Sequence, residues 1–330
     1  MDDAPRPLVS VGIVTWNSAS HVEACLTSVR AQTLAPIELL VVDNGSTDGT
    51  DRRLRDLALS SERILLGRNT GFSAAHNLAI ARTSAPFYLA LNPDVTLSRA
   101  FLETLVEAAA SDGGIGSASP RLTRAAGTGL IDSAGIYLLP SQRHLDRGQD
   151  EPDRGQFRRR EYVFGVTGAA GLYRRAMLED VAIGGEVFDE DYFAYREDVD
   201  LAWRAQWRGW RCLYVPEAEA FHVRRVTPER RALLPPEVNR ASVRNRFLLR
   251  IKNQPLAHAL RFAAPALWRD LQVIGYTLVR EQSSLPAFAD LVRLLPRMVR
   301  KRRQIMGRRV VSNADMARWF RETSRPVDRN

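Results

Sequence analysis

Ile37-Glu38-Leu39-Leu40-Val41-Val42-Asp43-Asn44-Gly45-Ser46-Thr47-Asp48-Gly49-Thr50 reads as an apolar strand closed by an acid, then a turn, then the start of a short polar helix. The β-branched run over 37–43 predicts the strand, and the Asn/Gly/Ser/Asp cluster predicts the turn. Similar units lie on either side. Residues 8–15 predict a first strand. Residues 20–31 predict a helix with Val22, Cys25, Leu26 and Val29 on one face and Ser20 as its cap. A short strand follows at 63–66, a helix at 73–81, a strand at 86–91 and a helix at 99–110. Strands alternating with helices of about ten residues imply βαβ units and a mostly parallel sheet. Ligands bind such sheets beyond the carboxyl ends of the strands. Asp43 closes one strand there, and Asp94 closes another in Leu89-Ala90-Leu91-Asn92-Pro93-Asp94.

Beyond residue 110 the pattern is less regular. Residues 141–160 are polar and predict a mobile loop. Order resumes at Tyr162-Val163-Phe164-Gly165-Val166-Thr167-Gly168-Ala169-Ala170, where small residues permit close approach of a ligand. A helix near 174–181 precedes Tyr195-Arg196-Glu197-Asp198-Val199-Asp200-Leu201, which sets three carboxylates at the head of a helical run. A strand over 212–215 is expected to stop at Pro216, with His222 just beyond. From about residue 236, apolar residues recur at helical spacing among many arginines. Met298 to Ile305 forms a basic amphipathic segment.

The chain has 330 residues, enough for one large domain or a domain with an appendage. The expected division is a catalytic domain over 1–235 and a basic helical region over 236–330. No run of about 18 uncharged apolar residues is present, and Met1 to Pro5 has no apolar core of a secretory signal. Cys25 and Cys212 are too few for a disulfide framework and read as buried thiols of a reducing compartment. Charge is uneven: residues 1–222 hold 23 Lys and Arg against 30 Asp and Glu, whereas 223–330 hold 24 against 8. So basic a C-terminal region suits an anionic surface, nucleic acid or the cytoplasmic face of a membrane. Packing on the catalytic body, with the arginines solvated, is the alternative. Few aromatics interleave with those arginines, so nucleic acid is not expected.

Transfer of a sugar from a nucleotide needs the base held, the diphosphate charge neutralised and an acceptor proton removed. Asp43 can accept from a pyrimidine imide N–H, or cap its own turn. Asp94 offers hard oxygen to Mg²⁺ or Mn²⁺, or serves a turn after Pro93. His222 offers imidazole to the same ion. Asp198 or Glu197 can act as general base, ionised at a helix N-terminus. Asp200 instead suits pairing with Arg204 at i+4. Arg68-Asn69-Thr70-Gly71-Phe72 opens a helix that runs through Asn77 and can meet phosphate or ribose through backbone N–H groups. Neither G-x-G-x-x-G after the first strand nor a Walker A sequence occurs. A nucleotidyltransferase would place a Gly-rich basic loop after the first strand, where Trp16-Asn17-Ser18 stands.

Together these segments resemble glycosyltransferase family 2, the inverting enzymes of the GT-A fold. The matching pieces are Val14-Thr15-Trp16-Asn17, Val41 to Thr50, Asn69 to Phe72, Leu91 to Asp94, Phe188-Asp189-Glu190, and Glu197 to Asp200 with Trp203-Arg204 and Gly209-Trp210, within residues 8–225. Asn-Pro-Asp and Glu-Asp-Val-Asp-Leu look most like the bacterial rhamnosyltransferases that use dTDP-L-rhamnose. The resemblance implies an α/β sheet flanked by helices. It implies a nucleotide-sugar site of Thr15, Asn17, Asp43, Arg68, Asn69, Gly71, Asn77, Asn92 and Asp94. It makes Asp198 the base and Asp94 with His222 the ligands of a divalent cation. Gly168, Ala169, Glu197 and Trp203 would border donor sugar or acceptor. The basic C-terminal region fits a lipid-linked glycan acceptor and a peripheral place on the inner face of the cell membrane. Asn92 departs from the Asp-x-Asp of many members and leaves one carboxylate fewer for the metal.

Overall fold

In the computed structural model the described residues are 6–57, 62–124, 127–224 and 236–320. The N-terminal residues 1–5 and the expected domain boundary at 235 lie outside them. The elements run β1 (Val9–Thr15), α1 (Val22–Arg30), β2 (Ile37–Asp43), α2 (Thr50–Asp56), β3 (Glu62–Leu65), α3 (Phe72–Arg82), β4 (Phe87–Leu91), β5 (Val95–Leu97) and α4 (Phe101–Ala110). Then come β6 (Ile115–Arg124), β7 (Ile131–Ser133), β8 (Ile136–Leu138), β9 (His144–Asp146), β10 (Glu161–Val163), β11 (Ala170–Arg174), α5 (Arg175–Val181), α6 (Glu197–Trp207) and β12 (Arg211–His222). Five helices follow: α7 (Pro236–Asn253), α8 (Leu256–Arg261), α9 (Ala263–Val279), α10 (Pro286–Arg308) and α11 (Asn313–Ala317).

The main sheet has the order β10-β12-β6-β11-β4-β1-β2-β3, with β5 added to β12 and β7 to β6. Strands β4, β1, β2 and β3 are parallel. Val9, Val11 and Ile13 of β1 are fully buried against α1 and α4, while Leu40 and Val42 of β2 face α3. Burial on both faces explains why these strands read as continuous apolar runs. Parallel register pairs Thr15 with Asp43, so both side chains emerge at one carboxyl edge. Strand β11 runs antiparallel between β4 and β6.

Three expectations change. Helix α1 begins after His21, with no side-chain cap from Ser20. Residues 141–160 are not a bare polar loop. They contain β9, bury Gln142, Arg147 and Phe157, and stack the Arg147 guanidinium on Phe157 and Tyr214 at 4.7 and 4.8 Å. Pro216 does not end its strand. It lies within β12, where the pairing with β6 shifts register between Val215 and Glu219, so its missing N–H interrupts no ladder bond.

The C-terminal helices share a core with α6. Val199, Trp203 and Trp207 of α6 pack with Leu248 and Leu249 of α7, Leu294, Met298 and Ile305 of α10, and Phe320. Buried cations reinforce the contact. Lys252 of α7, fully buried, binds Asp189 and Asp200, and Lys301 of α10 binds Glu186, Asp189 and Asp191. Both Cys25 and Cys212 are free and buried.

Candidate active site

One end of the site is built where β1 and β2 stop. Thr15 Oγ1 donates to Asp43 Oδ1 at 2.8 Å, and the Ser46 N–H donates to Oδ2 at 3.1 Å. Asn17 crosses the same corner: its N–H reaches Ser46 Oγ, and its Oδ1 accepts from the Thr47 N–H, each at 2.9 Å. The Asp43 carboxylate is therefore fixed, and Oδ2 keeps acceptor capacity for an imide N–H. Asn44 ties this corner to the loop before α3. Its amide donates to Asn69 Oδ1 and the Gly71 carbonyl, and its Oδ1 accepts from the Thr70 N–H. Arg68 is exposed beside it. Gly71, at φ +88°, lies flush against the Phe193 carbonyl, where a Cβ would come within 2.4 Å. Only glycine fits.

The second part lies where β4 ends. The Asn92 N–H donates to the Ala169 carbonyl at 2.8 Å, and β5 pairs Val95 with His222 of β12. That antiparallel pairing brings His222 Nε2 to 3.4 Å from Asp94 Oδ1. On its other side, His222 Nδ1 is 2.7 Å from Asp132, which also binds Arg124 and Arg224. Arg224 reaches on to Asp146 at 2.8 Å. Burial alone would lower the His222 pKa, but its hydrogen bonds to Asp132 and Asp94 outweigh that and carry it up to about 9. The carboxylate at Nδ1 orients the ring and turns Nε2 toward Asp94, and a cation bound there would displace the Nε2 proton.

This donor set fits a hard divalent cation: one carboxylate and one imidazole oriented by a second carboxylate. Among the described residues no three His, Cys, Asp or Glu side chains converge on one point. The remaining ligands would be diphosphate oxygens and water, the usual arrangement for Mg²⁺ with nucleotides.

The third part is the head of α6. Asp198 Oδ2 accepts from the Gly168 N–H at 3.0 Å, one residue from the Ala169 carbonyl that binds Asn92. Two hydrogen bonds thus link the Asp198 carboxylate to the strand end that carries Asp94. Burial raises the Asp198 pKa, the Gly168 N–H opposes it, and the Asp146 charge adds to the rise, leaving it at about 6. Glu197 is buried with Oε2 unpartnered, and burial followed by the Asp198 charge pushes its carboxyl well up. Burial thus favours the protonated form of Glu197 beside an ionisable neighbour, which sets the two acids apart chemically.

Two candidates do not line this cleft. Trp203 is buried edge-on against Phe164 and Phe320, in the core shared with the C-terminal helices. Asn77 binds the Phe188 backbone with both ends of its amide and also donates to Glu190, fastening α3 to the 188–192 segment. Asp200 forms the expected pair with Arg204 at 2.9 Å. Sequence reasoning missed Asn44, Asp132, Asp146 and Arg224. Asn44 stood in the quoted turn. Asp132 and Asp146 lay in stretches whose partners are about 80 to 90 residues away, with no local signal.

A parallel sheet with Asp43 at the end of β2 and Asp94 in the turn after β4, hydrogen-bonded through the 168–169 backbone to a half-buried carboxylate at a helix head, is an architecture suited to nucleotide-sugar transfer. The profile described as Glycosyl transferase family 2 matches residues 10–182, more than half of the sequence, and the chain belongs to this family. It is 29% identical over 245 residues, covering 65% of this chain and 76% of the relative, to N-acetylglucosaminyl-diphospho-decaprenol L-rhamnosyltransferase of Mycobacterium tuberculosis. Among solved structures, S. aureus TarS matches with TM-score 0.56 and 19% identity over 89% of this chain, which spans 50% of TarS. The Pyrobaculum calidifontis mannosyltransferase PcManGT, in complex with GDP-Man and Mn²⁺, matches with TM-score 0.51 and 20% identity, covering 96% of this chain and 82% of that one. At these identities the structural matches establish the fold, which is GT-A.

Proposed function

We propose that this glycosyltransferase moves L-rhamnose from dTDP-L-rhamnose, with inversion, to a hydroxyl of a polyprenyl-diphosphate-linked glycan. The observation that carries the chemistry is the Asp198 carboxylate: ionised at neutral pH, raised toward the range of a useful base, and hydrogen-bonded next to the strand end bearing Asp94. Asp198 takes the proton from the acceptor hydroxyl as its oxygen attacks the anomeric carbon opposite the diphosphate. Thr15, Asp43 and Asn17 hold the nucleoside. A bound divalent cation, held by Asp94 and His222, supplies neutralisation of the diphosphate charge. The Gly168–Ala169 segment presses backbone against the sugar, where a larger side chain would intrude.

The rhamnosyl donor and lipid acceptor rest on likeness to the mycobacterial relative. The C-terminal helices support a place on an anionic membrane surface. Leu267, Trp268, Leu271, Leu278 and Val279 recur at i, i+1, i+4, i+11 and i+12 along one side of α9, each more than half exposed. No helix among the described residues is long and apolar enough to cross a membrane. An apolar face in a region this basic fits a bilayer interface.

The test is a thermal-shift panel of nucleotide sugars with Mn²⁺, followed by transfer to an N-acetylglucosaminyl-diphospho-lipid and NMR of the anomeric product. Selective stabilisation by dTDP-L-rhamnose and an inverted linkage are expected. Stabilisation by a UDP- or GDP-sugar instead, with no rhamnosyl product, overturns the donor assignment.

A further inference from the structure

The residues before Asp198 have an unusual backbone. Phe193, Tyr195 and Arg196 all sit at positive φ (66°, 68° and 74°), although none is glycine. Non-glycine residues adopt this region rarely and in isolation. Three in four residues persist only where the surroundings enforce them. The enforcement comes from α7, about 50 residues further along the chain. The Asn245 amide nitrogen donates to the carbonyls of Tyr192, Ala194 and Tyr195 at 2.8, 2.9 and 2.9 Å. Arg244 donates to Asn245 Oδ1, which fixes the amide orientation, and its guanidinium also reaches the carbonyls of Asp191 and Tyr192. Asn245 is fully buried.

This turn touches both halves of the site. The Phe193 carbonyl accepts from the Phe72 N–H at 2.7 Å and abuts Gly71, so it faces the loop that enters α3. The Arg196 carbonyl accepts from the Asp200 N–H at 2.9 Å and begins α6. The turn therefore decides where α6 starts, and Asp198 is the second residue of α6.

We propose that Asn245 is a positioning residue for the transfer reaction: its amide holds the left-handed turn over 193–196 and so holds the Asp198 carboxylate against the Gly168 N–H. The inference rests on Asp198 being the base. The side chain suits the task. A planar amide supplies two N–H donors to a cluster of three carbonyls, and it ties those of Ala194 and Tyr195 to the Tyr192 carbonyl that Arg244 also binds. Aspartate in its place would set an acceptor against acceptors.

The experiment compares Asn245→Ala and Asn245→Ser, the milder variant that keeps one donor, with the wild type and Asp198→Asn. Melting temperature, nucleoside-diphosphate affinity with Mn²⁺, and kcat against pH are measured for each. The expected result is a kcat loss of at least about tenfold in N245A and a smaller loss in N245S. Nucleotide affinity should fall by a clearly smaller factor than kcat, because the Thr15–Asp43 corner lies outside the turn and only the loop entering α3 touches it, and the acid limb of the kcat profile should move by half a pH unit or more. A kcat within about twofold of wild type in both variants overturns the proposal. So does a kcat loss matched by an equal loss of nucleotide affinity with an unmoved pH profile, which marks general destabilisation. Full turnover in D198N removes the base assignment itself, whereas an inactive D198N beside an unaffected N245A removes only the clamp.

Discussion

Asp198 titrates near pH 6 in the free protein, and this sets the shape of the pH–rate curve. For one site at about 6, the ionised fraction is about 0.9 at pH 7, about 0.5 at pH 6 and about 0.1 at pH 5. The rate measured with donor and acceptor both well below KM, which reports the free protein, should therefore fall about tenfold between pH 7 and pH 5. An exposed aspartate at the ordinary value of 3.8 would lose only about 6% of its base form over that range. The cause of the rise makes a second test. Asp146 adds negative charge near Asp198, so Asp146→Asn should move the acid limb toward lower pH. Asp198→Asn should cost between about 10² and 10⁴ in turnover, the usual contribution of a general base, and leave a residue of activity without the limb.

Stability should move the other way. The folded protein holds the Asp198 carboxyl above its unfolded value, so the fold disfavours the charged form. That cost is present above pH 6 and fades as pH falls toward 4. Asn at 198 removes the charge, so the variant should melt higher than the wild type at pH 7.5, by a margin that shrinks in acid. A base installed at the expense of stability behaves this way. A rate profile flat from pH 5 to 7, or a midpoint near 4, would contradict the argument, as would a D198N variant that keeps the wild-type limb.

Three further outcomes follow from named contacts. Lys252→Met should destabilise by about 3–5 kcal/mol, because Asp189 and Asp200 would lose a fully buried cation; chemical denaturation reads this, and a midpoint equal to wild type would count against it. Asp132→Asn should weaken Mn²⁺ affinity about 10- to 100-fold in a calorimetric titration with nucleoside diphosphate present, since it orients His222; unchanged affinity would disconnect Asp132 from the metal. Replacing Trp268 and Leu271 together by Glu should abolish cosedimentation with anionic vesicles while leaving transfer to a soluble acceptor intact, and retained vesicle binding would remove α9 from the membrane contact. Point substitution is the right perturbation there, because deleting residues 236–330 would strip Leu248, Leu249 and Met298 from the core around Trp203 and Trp207.

The parallel half of the sheet was legible because its signals are local. Strand β2 runs over Ile37–Asp43 as its apolar run predicts, and the acid at its end faces the site because strand ends in such sheets face ligands. Asp94 and Asp198 stood out as candidates for the same reason: each lies beside the boundary of an element whose period is written in the neighbouring residues, Asp94 in the turn between β4 and β5 and Asp198 in the first turn of α6. What organises them did not. Asp132 reaches His222 across 90 residues and Asn245 reaches Tyr195 across 50, and neither pairing leaves a trace in hydrophobic period or turn chemistry. Composition misled at 141–160, where the polar character is real but Arg147 is buried between two rings and paired with Glu161. Pro216 misled because a proline stops a strand only where its N–H would have been bonded, and a register shift removes that need.

The charge asymmetry illustrates how one compositional fact can carry two physical meanings. An acidic body and a basic C-terminal region suggest an external anionic surface. Part of the asymmetry is instead internal. Lys252, Lys301, Arg297 and Arg244 of the C-terminal helices neutralise or hydrogen-bond the segment from Glu186 to Tyr192 and Asp200, an acid cluster for which Arg204 supplies counter-charge only at Asp200. The Lys252 and Lys301 contacts are buried or nearly so, where salt screens weakly, whereas Arg297 reaches Asp191 from the surface. The arginines on exposed faces act across water, where a Debye length of about 8 Å at physiological ionic strength limits them. The same residues that made the region look like a membrane-seeking tail therefore include those that fasten the C-terminal helices to the 186–200 segment. Partners, not net charge, separate the two groups: the cations facing the 186–200 acids are spent on contacts within the fold, and only cations outside such pairs could add to attraction toward an external anionic surface.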